Sequence, residues 1–317
     1  MKAFRPLPLL RNPHLQTFLG SQASLARAPR STRREVRLED GDRLLLLVST
    51  PAGYDPARDT TVVLVHGLTG SERSSYMRRV AAKLVRRGVR AVRLDLRDAG
   101  EGEGLARRPY HAGCSGDVLA VLRELRPESA RLALVGYSLG GNVALKLAGE
   151  LGPDGGALLD LVAAFCPAVC MHSCSERIHR RENRIYERTF VKELVAMAER
   201  RHARFPELGP LRLPARLRLR EFDELYMAPT WGFRDADDYY TRASSSHVLP
   251  RIAVPTRVLI ALDDPIIDPA PLAGELPACV EVARSPRGGH LGFLGRAPRH
   301  GVQYMDARLF GWLGLDA

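Results

Sequence analysis

Apolar residues along this chain fall into two patterns. Short runs rich in β-branched residues read as buried strands, and longer stretches with apolar positions three and four apart read as helices. Residues 61–65, 89–96, 131–135 and 159–165 are of the first kind. Residues 74–87 are of the second: Met77, Val80, Ala81, Leu84 and Val85 recur at helical spacing, and Gly88 closes the segment. Residues 117–125 and 141–148 also read as helices. Ahead of them, 34–38 and 43–49 flank Glu39-Asp40-Gly41-Asp42 and read as a β-hairpin. Late in the chain, 253–262 and 279–282 read as strands and 304–314 as a last helix. Strands that are apolar throughout, separated by helices, predict an α/β fold with a mostly parallel central sheet flanked by helices on both faces.

Residues 171–249 break the alternation. They are rich in Arg and Glu, carry a helical stretch at 191–202, and hold the aromatic residues Phe222, Tyr226, Trp231, Phe233, Tyr239 and Tyr240. This segment reads as a helical cap inserted into a core made of 1–170 and 250–317. Most of these aromatics are expected to hold the cap on the core, and some to line a pocket as well. Within the cap, residues 212–220 alternate arginine with apolar residues, the pattern of an amphipathic strand or of a surface segment.

Composition narrows the partners. Among 317 residues, 45% are hydrophobic and 26% charged, the balance of a soluble globular protein. No apolar run approaches the roughly 18–20 residues of a membrane span, and Pro6, Pro8 and Arg11 interrupt any signal-peptide core. The expected location is cytoplasmic. Net charge is +11, yet the arginines are scattered and no module of interleaved aromatic and basic residues appears, so no nucleic-acid partner is expected. Five cysteines make no disulfide framework. Cys166, Cys170 and Cys174 would share a face if helical, but Pro167 interrupts them, and neither a metal nor a cofactor is expected. Oligomeric state is not legible.

The chemistry concentrates at Gly136-Tyr137-Ser138-Leu139-Gly140, between a predicted strand and a predicted helix. A G-x-S-x-G sequence in that setting is a nucleophile elbow: a tight turn that lifts the serine hydroxyl clear of the sheet and leaves room only for glycine beside it. A serine nucleophile needs a base, and in this fold the partners follow in the order acid, then histidine. Asp263 and Asp264 end the strand 256–260, and His290 follows Gly288 and Gly289 after the next strand. Asp264, one residue further into the loop, is assigned as the acid; Asp263 is the alternative, or a supporting or helix-capping residue. The backbone N–H groups of Leu139 and Leu68 are assigned to the oxyanion. His66 is expected to pin its loop rather than act as a base.

Several motifs resemble one family. They are Asn12-Pro13-His14-Leu15-Gln16-Thr17, Val65-His66-Gly67-Leu68, Gly136 to Asn142, Asp237-Asp238-Tyr239-Tyr240 with Ala243-Ser244-Ser245, Ala261-Leu262-Asp263-Asp264-Pro265, and Gly288 to Phe293. Together they resemble the α/β-hydrolase superfamily, in the branch of bacterial YheT-type hydrolases and eukaryotic ABHD1/ABHD2/ABHD3-type proteins. The resemblance implies hydrolysis of acyl esters by a serine esterase, through Ser138, Asp264 and His290. It implies small-molecule ester substrates and no stable membrane insertion, with peripheral lipid contact left open, because the eukaryotic relatives' membrane anchor has no counterpart here. Arg97-Asp98-Ala99-Gly100-Glu101 departs from the branch's usual turn beside the active-site mouth. His14 is expected to pin the N-terminal segment. The competing readings are a catalytically idle scaffold that binds a partner, and a thioesterase or lipase acting on lipids.

Overall fold

A computed structural model describes residues 3–22, 26–297 and 299–315; Met1 and Lys2 lie outside them. Eight strands form one sheet in the order β1-β2-β4-β3-β5-β6-β7-β8. β1 (Thr32–Arg37) and β2 (Arg43–Ser49) are the expected hairpin, antiparallel to each other, and β2 is antiparallel to β4. The other neighbours, β3 (Thr60–Val65), β4 (Arg90–Asp95), β5 (Arg131–Tyr137), β6 (Leu161–Phe165), β7 (Thr256–Ala261) and β8 (Val280–Ser285), pair in parallel.

The apolar runs are explained by burial on both faces. Side chains alternate across a strand, so Val63 and Val65 of β3 join one core cluster while Val62 and Leu64 join the other. The first cluster is completed by α3 (Ser115–Leu125) and α4 (Leu139–Leu151), the second by α2 (Ser75–Val85) and α11 (Tyr304–Trp312). Between α2 and α11 lies a buried charge cluster. Asp306 accepts bidentate hydrogen bonds from Arg79 at 2.8 and 3.0 Å and a third from Lys83 at 2.7 Å.

Four elements were not foreseen. Residues of the N-terminal motif form α1 (Pro13–Gln22), a short turn of helix α5 (Gly155–Leu158) precedes β6, and β9 (Leu294–Ala297) pairs with β10 (Gly301–Gln303) outside the main sheet.

Residues 171–249 contribute no strand. They form α6 (Met171–Ile178), α7 (Arg184–Arg204), α8 (Leu219–Phe222), a π-helical segment at Asp223–Met227, α9 (Ala228–Trp231) and α10 (Ala236–Ala243). Phe222, Tyr226, Tyr239 and Tyr240 are buried in the same cluster as α3 and α4. Trp231 donates to the Pro109 carbonyl, and Tyr239 accepts from the Ala112 amide. Residues 212–218 adopt no regular structure, so the strand alternative for that stretch is wrong: Leu213 and Leu217 pack on the core while the intervening arginines face solvent. The three cysteines share no helix face either. Cys166 follows β6, Cys170 caps α6, and Cys174 lies within it.

Candidate active site

The serine stands at the sharpest point of the chain. Ser138 has φ 54° and ψ −118°, a conformation L-residues avoid, between the last residue of β5 and the first of α4. Neighbouring chain makes the glycines obligatory. A Cβ on Gly136 would collide with the Gly140 carbonyl, and one on Gly140 with the carbonyls of Val65 and His66.

The three residues assigned from sequence meet in one hydrogen-bonded line. His290 Nε2 lies 2.9 Å from Ser138 Oγ, and its Nδ1 lies 2.8 Å from Asp264 Oδ2. Since Nδ1 faces a carboxylate, it carries the proton, and Nε2 is left as the acceptor for the serine hydroxyl. Asp264 is 2% exposed. Its other oxygen accepts from the amides of Ile266 and Ile267 at 2.8 and 2.9 Å, which fixes the carboxylate's orientation. Asp263 turns the other way and accepts from the Gly289 amide at 2.9 Å.

The histidine loop is held from a distant part of the sequence. The His290 amide donates to Thr17 Oγ1 at 2.9 Å, and Gln16 bonds both the carbonyl and the amide of Leu294. His14 stacks on Tyr186 of α7, 3.1 Å from its hydroxyl. The N-terminal motif thus ties the His290 loop to α1 and to α7. Sequence reasoning flagged His14 alone in a positional role and passed over Thr17 and Gln16.

The loop after β3 presents one unpaired amide. Tyr76 Oη accepts from the Gly67 amide at 3.0 Å and Tyr110 Oη from the Thr69 amide at 2.7 Å, whereas Leu68 N–H between them has no partner among the described residues. Gly67 packs directly on the serine: a Cβ there would lie 3.0 Å from Ser138 Cβ. Leu139 is the first residue of α4, and an N–H in a helix's first turn has no partner within that helix. His66 is fully buried. It accepts from the Leu96 amide at Nε2 and donates from Nδ1 to the Gly67 carbonyl, and burial pushes its pKa down to about 4. It is a neutral pin for this loop.

Cys166 Sγ, Asp264 and His290 lie within 4.8 Å of one another. As a metal donor set they fit poorly. Burial and the nearby Asp264 hold the Cys166 thiol well above its usual range, and Asp264 and His290 are already committed to each other.

Beside Ser138 is a cavity with two lobes. The lobe holding Ser138 is walled by Ile178, Phe190, Ile266 and Ile267. The second reaches Asp98, His111 and Arg201. Leu68, Leu139, Met171, Leu219 and Asp223 line both. The altered loop therefore does reach the cavity, through Asp98. Arg97 instead is buried against Asp117 and Asp42 and stacks on Trp231.

An eight-stranded, mostly parallel sheet with a serine at a strand-to-helix elbow defines the α/β-hydrolase class. Residues 62–302 match the profile of the Alpha/beta hydrolase family, and the chain belongs to that family. It is 34% identical to the putative esterase YheT of Escherichia coli over 98% of this chain and 92% of that one. It is 28% identical to the phospholipase ABHD3 of Bos taurus, over 80% of this chain and 62% of that protein. These similarities agree with the YheT/ABHD branch. The Pyrococcus furiosus esterase Pf2001 superposes with a TM-score of 0.56 at 16% identity, over 90% of this chain and 92% of that one, a likeness of fold. No helix among the described residues is long and apolar enough to cross a membrane.

Proposed function

We propose that this hydrolase cleaves carboxylic esters through an acyl-enzyme intermediate, with Ser138 as nucleophile, His290 as base and Asp264 as the acid that orients it. The observation that carries this reading is the unbroken line Ser138–His290–Asp264, opening on an apolar cavity beside two unpaired amides. His290 Nε2 takes the Ser138 proton as Oγ bonds to the ester carbonyl carbon. The carbonyl oxygen becomes an oxyanion, received by the N–H groups of Leu68 and Leu139, the latter at the positive end of α4. Asp264 stabilises the imidazolium, which then protonates the departing alcohol. Water repeats the sequence on the acyl-enzyme and frees the acid.

Residues 171–249 act as a cap that walls the substrate cavity. The bovine relative is named a phospholipase, and a cavity of isoleucine, leucine and phenylalanine suits an acyl chain. An idle scaffold is not favoured, since binding alone needs neither a strained serine nor unpaired amides. The free state of all five cysteines supports a reducing compartment such as the cytoplasm.

The test is Ser138→Ala assayed on a chain-length series of p-nitrophenyl esters. Loss of kcat by about 10⁴-fold or more with an unchanged Tm is expected. Hydrolysis at the wild-type rate would contradict the mechanism.

A further inference from the structure

One residue in the serine's lobe stands out chemically. Asp223 is the single acidic residue lining that lobe among the described residues, and it lines the second lobe too. It is 8% exposed. Tyr240 Oη donates to its Oδ2 at 2.7 Å, and Ser175 Oγ in turn donates to Tyr240 at 3.3 Å. The hydrogen bond from Tyr240 engages Oδ2 alone, and Asp223 lines both lobes, so its second oxygen is left for a group in the cavity.

The backbone at this point is also unusual. Asp223 begins a π-helical turn between α8 and α9. Such turns are frequent at functional sites. Here the turn lets Phe222, Asp223, Tyr226 and Met227 all face the same cavity.

The electrostatics limit what that oxygen can receive. Burial raises the carboxyl to about 7, against the opposing pulls of the Tyr240 hydrogen bond and of Arg220, which is itself paired with Asp237. The remaining titratable neighbour is Tyr239, whose phenol burial holds well above its usual range. Near neutral pH Asp223 therefore exists in both forms. Ionised, Oδ1 accepts a hydrogen bond; protonated, it donates one. An ammonium matches only the first form, and an ether or carbonyl only the second. A hydroxyl both donates and accepts, and so matches both.

We propose that Asp223 is a specificity-determining residue that receives a hydroxyl of the substrate, so that the preferred ester carries a hydroxyl on its acyl chain or its alcohol. This rests on the ester-hydrolase reading above.

Two matched pairs of esters test it. One pair is p-nitrophenyl hexanoate and p-nitrophenyl ω-hydroxyhexanoate. The other is propyl hexanoate and hydroxypropyl hexanoate. For wild-type protein, kcat/KM favours the hydroxylated member of one pair by at least about tenfold, because a site built around a hydroxyl is left with an unpaired polar group by the analogue lacking it. The pair that responds tells whether the hydroxyl belongs to the acyl or the alcohol side. Asp223→Leu brings the ratio to about one or below. Asp223→Asn, of the same shape and still able to hydrogen-bond, gives an intermediate ratio. A ratio measured within one variant cancels any general loss of folding or activity. Wild-type ratios near one for both pairs, or an unchanged ratio in Asp223→Leu, overturn the assignment while leaving the esterase reading intact. Failure of the wild-type protein to turn over any of the four esters overturns both.

Discussion

Asp264 reaches back to His290 while Asp263, its neighbour, holds the amide of Gly289, the residue just before that histidine. The two substitutions should therefore behave differently. Asp264→Asn replaces the carboxylate by an amide that can hold the imidazole in the wrong tautomer, and kcat should fall by about 10⁴-fold. Asp263→Asn retains an oxygen that accepts from Gly289, and should cost less than about tenfold. Steady-state kinetics on both variants decides the matter, and the reverse ranking would move the acid to Asp263. Order along the chain was enough to single out Ser138, the acidic pair and His290 as candidates, because an elbow is a local pattern and the other residues follow successive strands. The choice between adjacent aspartates depends on how the turn after β7 is wound, which spacing does not encode. Thr17 lay beyond sequence reasoning for another reason: 273 residues separate it from His290, and nothing in either local pattern joins them.

At the level of elements, apolar runs located the inner strands of the main sheet, since a strand buried on both faces leaves a continuous signal; the polar edge strand β1 was found through its hairpin turn instead. Weaker signals were lost. β9 and β10 are short and lie outside that sheet, and the π-helical turn looks like any helix in periodicity. The cysteine trio failed as a helical motif because β6 ends just before Cys166 and Pro167 forces a loop. The contact of α2 with α11 supplies a stability test. Burial by itself would raise the Asp306 carboxyl, but Arg79 and Lys83 outweigh it and hold it below the usual value. Asp306→Asn leaves both cations facing a neutral amide in a site where Asp306 and Arg79 are 1% and 6% exposed, and should cost about 3 kcal/mol or more in urea unfolding near pH 7. A carboxyl lowered by folding stabilises above its unfolded pKa, near 4, and that contribution is lost as pH falls through the still lower folded value. The gap between wild type and variant should accordingly be full at neutral pH and narrow as the pH falls below about 4. A gap independent of pH would show that the charge of Asp306 contributes nothing.

Across the whole molecule, residues 171–249 and the loops of the sheet share a cavity, and its shape is what the sequence left unread. The aromatic residues of 171–249 announced an attachment to the core, but which of them line a pocket depends on how five helices and a π-helical turn settle over the sheet. Ile178 and Phe190 come from the cap, while Ile266 and Ile267 come from the loop after β7, to wall the serine's lobe together. Ile178→Trp should shorten that lobe, lowering kcat/KM about tenfold or more for the longest esters accepted, while the shortest are unaffected. An unchanged chain-length profile would remove the cap from substrate selection. All of this depends on Ser138 being the reactive nucleophile. Its most direct measurement is labelling of the intact protein with a fluorophosphonate probe, followed by peptide mapping. The account predicts a single adduct, on Ser138, that disappears when His290 is replaced by alanine. A folded protein that remains unlabelled, or carries the adduct on another residue, would contradict it.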